Sequence, residues 1–245
     1  MEHERYHIID GIRGLTIISM IFYHACWDLV FLAGVNLPGY LDTQGMIWQR
    51  SICCSFIIIS GFCAGISNRH FKRGIIVFLA GLLVTLVTVI FMPEDRIVFG
   101  ILTFLGSSML IIGVIGAYLK KVPYFWGLLI SIILFLASFH INNGYLGFFK
   151  FKYYLPDFLY SNMLTTFLGF MRPGFFSTDY FSIIPWFFLF CFGFYISCMM
   201  IERQIIGILK ASLIKPLEWM GRHSLLIYLM HQPLLYLVMI SLQKI

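Results

Sequence analysis

Long runs of apolar residues, separated mostly by short polar connections, occupy almost the whole chain. Seven runs are close to twenty residues long, the length that an α-helix needs to cross the hydrocarbon core of a bilayer. The pattern predicts an all-α polytopic membrane protein, with about seven transmembrane helices in one bundle and a single domain over residues 1–245. The predicted spans are residues 9–31, 47–67, 74–92, 97–118, 123–140, 182–201 and 222–242.

One connection, residues 141–181, is much longer than the others and is rich in Phe and Tyr. Aromatic side chains are typical of the membrane–water boundary, which predicts that this outer segment lies there. Within it, Ser161–Phe170 is predicted as a short interfacial or re-entrant helix. The segment is either a lid or wall for a substrate site or a packing element.

Composition excludes a soluble globular protein, because 60% of the residues are hydrophobic and only 11% are charged. The N-terminus mixes acidic and basic residues before a long apolar run, so we expect no cleaved signal peptide. The net charge of +6 does not indicate nucleic-acid binding, since no nucleic-acid-binding motif occurs. Basic residues of a membrane protein usually mark its cytoplasmic loops. With a cytoplasmic N-terminus, eleven Lys and Arg residues fall inside and six outside. This asymmetry predicts a multi-pass cell-membrane protein whose C-terminus is outside.

The first span carries charge, which is costly inside a membrane and marks a functional site by default. On a helix, Asp10, Arg13, His24 and Asp28 fall within an arc of about 60°. Arg13 and His24 are then about 16 Å apart along that face. Gly11 and Gly14 flank this polar stripe and predict close approach of another backbone.

His24 is the strongest candidate for catalysis. Asp28 follows one helical turn later and is expected to hold and orient the imidazole, which makes His24 a candidate general base. The alternative is a structural histidine bonded to a neighbouring helix.

Arg13 needs a partner because guanidinium keeps its charge. Asp10, one turn earlier, is the expected partner, and an anionic ligand is the functional alternative. Arg13, Arg69, Arg73 and Arg222 would form a basic rim at the cytoplasmic mouth that suits phosphates. The positive-inside rule alone also explains most of these charges.

Two later residues complete the candidate site. His231 shares a face of the last span with Ser224 and Tyr228, and its structural and catalytic-support roles are equally open. Asp179 precedes the sixth span on the same predicted side as His24. It either supports the base or binds an acceptor, or it caps the following helix.

Other patterns point to structure or are absent. Gly, Ser and Thr residues between Gly100 and Ser108 predict a helix-packing surface. The six cysteines lie in predicted spans without a CxxC pair, which favours small buried apolar residues over a disulfide framework or zinc site. The sequence has no Walker A, HExxH or GxSxG motif, which argues against ATP-driven transport, zinc proteolysis and serine hydrolysis. No metal is predicted.

Five stretches in order resemble the bacterial proteins related to the heparan-alpha-glucosaminide N-acetyltransferase catalytic domain. They are YHIIDGIRGLTIISMIFYHACWDL, FIIISGF, IVFGILTFLGSSMLI, STDYFSIIPWFFLFCFG and GRHSLLIYLMHQP. The wider superfamily of transmembrane acyltransferases, including the acyltransferase-three type, is similar at one further point. Its members carry an Arg, ten residues and then a His, the spacing of Arg13 and His24.

The resemblance implies transfer of an acyl group, usually acetyl, from cytoplasmic acyl-CoA to a hydroxyl or amine of an outer-side glycan. It also makes a homodimer an expectation. The resulting hypothesis puts the CoA phosphates near Arg13 and uses His24 as base, with a covalent acetyl-His intermediate as the variant.

Two other functions remain open at this stage. A solute transporter or flippase-like protein would use the same stripe to pass protons or an anionic solute, without covalent chemistry. An accessory subunit would use the stripe only to dock another membrane helix, which would leave it exposed in the isolated chain.

Overall fold

The computed structural model describes residues 5–148, 151–212 and 214–243. Their α-helices and strands, in chain order, are α1 (His7–Phe31), α2 (Thr43–Ile66), α3 (His70–Phe91), α4 (Ile101–Leu119), α5 (Tyr124–Ser138), β1 (Tyr145–Phe148), β2 (Phe151–Tyr154), α6 (Met163–Leu168), α7 (Ile183–Glu202), α8 (Lys215–Arg222) and α9 (Ser224–Gln243).

Seven segments in these described residues are long and apolar enough to cross a bilayer, all on helices other than α6 and α8. Each coincides with a predicted span, and no predicted end misses its α-helix by more than four residues. The all-α polytopic membrane fold is therefore confirmed. Along α3, apolar side chains three or four residues apart are each more than half exposed, as expected for a lipid-facing stripe. These are Leu79, Leu83, Leu86 and Ile90.

Contacts divide the chain into two compact units, residues 1–59 with 204–245 and residues 60–203. The single domain stays a prediction. In the first unit, α8 packs on α1 with almost no space between the backbones. A Cβ on Gly14 would overlap the Leu217 carbonyl, and one on Gly221 would overlap the Asp10 carbonyl. The close approach predicted at Gly14 is thus confirmed, and its partner is the short helix α8, which apolar runs did not reveal.

The start of α2 is tied to α1 by side-chain hydrogen bonds in the same unit. The Trp48 indole N–H donates to Ser19 Oγ over 2.8 Å. The Tyr40 hydroxyl, just before α2, donates to the Tyr23 carbonyl over 3.0 Å. Both bonds satisfy polar groups beside apolar surface, and they hold Tyr40 and the start of α2 against α1.

In the second unit, α3 and α4 meet through small residues. A Cβ on Gly81 would overlap the Thr103 backbone, and one on Gly106 would overlap the Phe78 backbone. The small-residue packing surface predicted near Gly100–Ser108 is therefore confirmed. Gly127 of α5 makes room in the same way for the Tyr195 ring of α7.

The segment between α5 and α7 contains regular structure. α6 begins at a capping box in which Asn162 Oδ1 accepts from the Thr165 N–H, which confirms the predicted short helix. The antiparallel pair β1–β2 was not predicted, because four-residue strands are too short for a periodicity argument. Residues 149 and 150 of this aromatic segment lie outside the described residues.

Candidate active site

α1 places a polar stripe on a helix that is otherwise apolar. At 25 residues it is long enough to cross the bilayer. Asp10 and Arg13 lie in its first two turns, and His24 and Asp28 lie near its other end. Asp28 is completely buried. A buried carboxyl group in a membrane span is costly unless hydrogen bonds or a ligand compensate it.

Arg13 lies at the junction of α1 and α8. Its Nη1 is 3.4 Å from Asp10 Oδ1, which confirms the predicted pair. The same nitrogen donates to the Gly221 carbonyl over 3.3 Å. Arg222, the next residue, donates from Nε to the Glu218 carbonyl over 3.2 Å. Two of the four predicted phosphate-binding arginines are therefore neighbours at one end of the first unit.

Asp28 is held by a residue that sequence reasoning missed. Gln232 Nε2 of α9 donates to Asp28 Oδ1 over 2.9 Å. The expected hydrogen bond between Asp28 and the His24 ring is not formed among the described residues. Asp28 Oδ1 accepts from Gln232, and Asp28 Oδ2 has no hydrogen-bond partner there. The signal for Gln232 was its position beside His231 within an apolar span.

His24 instead faces His231 of α9. The two ring centroids are 4.8 Å apart with planes tilted by 56°. His231 Nδ1 lies 2.5 Å from the Tyr228 carbonyl. Because a carbonyl only accepts, Nδ1 carries the hydrogen, and Nε2 of the neutral ring is left as an acceptor. Two imidazoles from the first and last spans thus lie together, as candidate catalytic groups would.

Three buried atoms of this cluster have no hydrogen-bond partner within the described part of the chain. They are Asp28 Oδ2, Gln232 Oε1 and His231 Nε2. With Asp28 ionised, all three are acceptors. An unsatisfied buried polar group costs about 1–3 kcal/mol, so it calls for a partner. A ligand with O–H or N–H donors, such as an alcohol or an amine, has the complementary chemistry.

One family model matches nearly the whole chain, including the four residues of this cluster. The sequence model described as "Heparan-alpha-glucosaminide N-acetyltransferase, catalytic" matches residues 5–233. The chain belongs to this family. The resemblance noted from sequence is thereby confirmed, and membership in the N-acetyltransferase family indicates a transmembrane transferase. No curated protein and no solved structure matches the chain.

Asp179 makes a structural hydrogen bond at the start of α4. Its Oδ2 accepts from the Ile101 N–H over 3.0 Å and so caps α4. A cap on the helix that follows, α7, was one of the alternatives that the sequence left open, and the Asp179 carboxyl group caps α4 instead. Burial raises the pKa of the Asp179 carboxyl to about 6, although the Ile101 hydrogen bond opposes the shift. Its catalytic role stays a prediction.

The remaining arginines lie at a helix end of the second unit. Arg69 is the N-cap of α3, Arg73 lies in its first turn, and both side chains are exposed. Exposure leaves them available to an anion, and their contact with a donor stays a prediction. All six cysteines are free thiols. No group of three or more His, Cys, Asp or Glu suited to a metal ion occurs within residues 5–148, 151–212 and 214–243.

Proposed function

We propose that this protein is an acetyl-CoA-dependent acetyltransferase that acetylates a hydroxyl or amine of a glycan across the membrane. The observation that carries the proposal is the match of the N-acetyltransferase catalytic family over residues 5–233. The membrane is the cell membrane, with the N-terminus in the cytoplasm beside the donor and the C-terminus outside.

The polar cluster on α1 and α9 supports this function. Two candidate membrane spans carry His24, Asp28, His231 and Gln232. Ionisable side chains inside a membrane are costly and are by default candidates for a functional site. Gln232 Oε1 and His231 Nε2 are unpartnered hydrogen-bond acceptors, as is Asp28 Oδ2 when that carboxyl group is ionised, and they suit a substrate that carries O–H or N–H donors. Asp28 and His231 are buried by the chain itself, which argues against a stripe reserved for a partner's helix.

In the proposed reaction, His24 is the general base. It takes the proton from the acceptor hydroxyl or amine as the oxygen or nitrogen attacks the thioester carbonyl. The new C–O or C–N bond replaces the C–S bond, and the CoA thiolate leaves and takes up a proton. His231, whose ring lies beside His24, is proposed to support His24 in this proton transfer. In the covalent variant, His24 carries the acetyl group between donor and acceptor.

Arg13 and Arg222 are the proposed donor contacts in the first unit. One guanidinium group can donate two parallel hydrogen bonds to the oxygens of one phosphate, which suits the phosphates of CoA. Arg13 is about 16 Å from His24 along α1, a distance that an extended pantetheine arm spans. Arg69 and Arg73, in the second unit, stay predicted phosphate-binding residues. A homodimer is proposed on the family resemblance alone.

The test is acetyl transfer by the purified protein in sealed liposomes. Acetyl-CoA is supplied on one side and a glucosamine-containing oligosaccharide on the other, with thiol release and product mass as readouts. The proposal expects CoA thiol and acetylated oligosaccharide to appear together. A transporter would leave acetyl-CoA intact while a solute crosses, and that result would replace this proposal.

A further inference from the structure

The β1–β2 sheet divides its side chains between two chemically different faces. Side chains alternate along a strand, and directly opposed residues share a face. Tyr145 is opposed by Tyr154 and Phe148 by Phe151. One face, which we call the apolar face, therefore carries Leu146, Phe148, Phe151 and Tyr153.

On the opposite face, Tyr145 makes contacts within the chain. The Tyr145 ring stacks on His140 with centroids 5.0 Å apart, and its partner Tyr154 lies 6.0 Å away. Lys152 Nζ lies 4.7 Å from the Tyr145 centroid, a cation–π distance. The single charge of the four-pair sheet is therefore on this face, and β1 packs against α5.

Three side chains of the apolar face, Phe148, Phe151 and Tyr153, are exposed. Phe151 is 86% exposed and Tyr153 is 70% exposed. No ring–ring contact of Phe148, Phe151 or Tyr153 occurs among the residues that the structure describes. Exposed aromatic surface on a membrane protein needs an environment that is apolar on one side and wet on the other.

The position of the sheet supplies that environment. The fifth candidate span ends at Asn143, so only Gly144 separates it from β1. A four-residue strand is about 13 Å long, so β1 stays within that distance of the end of the span. The headgroup layer on each side of the hydrocarbon core is about 5–8 Å thick. β1 thus begins at the depth at which Tyr and other aromatic side chains anchor membrane proteins.

We propose that the apolar face of the β1–β2 sheet inserts into the interfacial layer of the bilayer and contacts phospholipid directly. The sheet anchors the long connection between α5 and α7 to the membrane surface. This inference stands on the faces of the sheet and its distance from α5, and it is independent of acetyl transfer.

Tyr153 and Tyr154 form a matched pair for the test, since they are adjacent, equally exposed at 70% and on opposite faces. Each is replaced singly by the photoreactive residue p-benzoylphenylalanine, and the full chain is placed in phosphatidylethanolamine–phosphatidylglycerol liposomes. After irradiation, mass spectrometry of the protein detects covalent phospholipid. We expect several-fold more lipid adduct from position 153 than from position 154.

A Phe151 replacement by the same probe provides a second reporter on the apolar face if the Tyr153 variant folds poorly, as judged by size-exclusion chromatography. Equal lipid adducts at the two faces would overturn the proposal. So would a predominance of chain-to-chain adducts at positions 151 and 153, which would assign the apolar face to a second copy of the protein. Absence of lipid adduct from both apolar-face reporters would overturn it as well.

Discussion

The Gln232 amide donates to Asp28 over 2.9 Å and so joins the last membrane span to the first. It is the hydrogen bond that compensates a fully buried carboxyl group on α1. Replacing Gln232 by Leu leaves Asp28 buried without this donor, and we expect a loss of about 1–3 kcal/mol in stability. Thermal unfolding in detergent measures the loss.

The double variant Asp28→Leu/Gln232→Leu is the control for this interaction. Removing both partners eliminates the unpaired polar group, so its melting temperature should exceed that of Gln232→Leu. If the double variant is the less stable of the two, the bond does not have the compensating role assigned to it.

His24 is assigned the proton transfer in the proposed reaction. His24→Ala should lower the rate of CoA thiol release by about 10²–10⁴-fold, the usual contribution of a general base. His223→Ala is the matched control, because His223 is exposed at the end of α8. Its activity should equal that of the wild type. Full activity of a folded His24→Ala protein would exclude His24 as base or acyl carrier.

Arg13 is assigned to the CoA phosphates. A charge-assisted hydrogen bond contributes about 1.5–3 kcal/mol, so Arg13→Met should raise KM for acetyl-CoA roughly ten- to hundredfold. Arg172→Met, on an exposed side chain between α6 and α7, is the control for loss of one positive charge. An unchanged KM in Arg13→Met would limit Arg13 to its structural bonds with Asp10 and Gly221.

The α1–α8 contact leaves no space for a methyl group at Gly14. Gly14→Ala must move α8 or strain α1, and we expect a cost of about 1–3 kcal/mol. Gly207→Ala is the control in the same unit, because a Cβ at Gly207 has no atom within 4 Å. Melting temperatures of both variants in detergent test this, and equal values would contradict the packing argument.

Asp179 should make stability depend on pH. Its pKa is near 3.8 in an ordinary setting and about 6 in the folded chain. Between these values the folded protein binds the extra proton, so stability falls as pH rises from about 4 to about 6. The loss is at most about 3 kcal/mol.

Asp179→Asn keeps an oxygen that accepts from the Ile101 N–H but has no proton to lose. Its melting temperature should therefore fall less than that of the wild type between about pH 4.5 and about pH 7, an interval that contains the folded-state pKa of Asp179. Identical changes in the two proteins would show that Asp179 does not titrate in this range.

The sequence by itself determined the membrane spans and the polar stripe. Apolar length decides whether a helix can cross a bilayer, and helical periodicity decides which residues of one helix share a face. For the same reason, the Arg13–Asp10 pair was predictable: its partners are three residues apart on α1. Family membership was also predictable, since the ordered motifs extend through most of the chain.

Only the tertiary structure decided what meets the stripe. Gln232 bonds to Asp28 across 204 residues of sequence, and His231 faces His24 across 207. Asp179 caps α4 although it precedes α7, because a carboxylate caps whichever helix start lies nearest in space. Contacts between helices depend on the rotation and depth of each helix against its neighbour, and local sequence patterns do not encode these quantities.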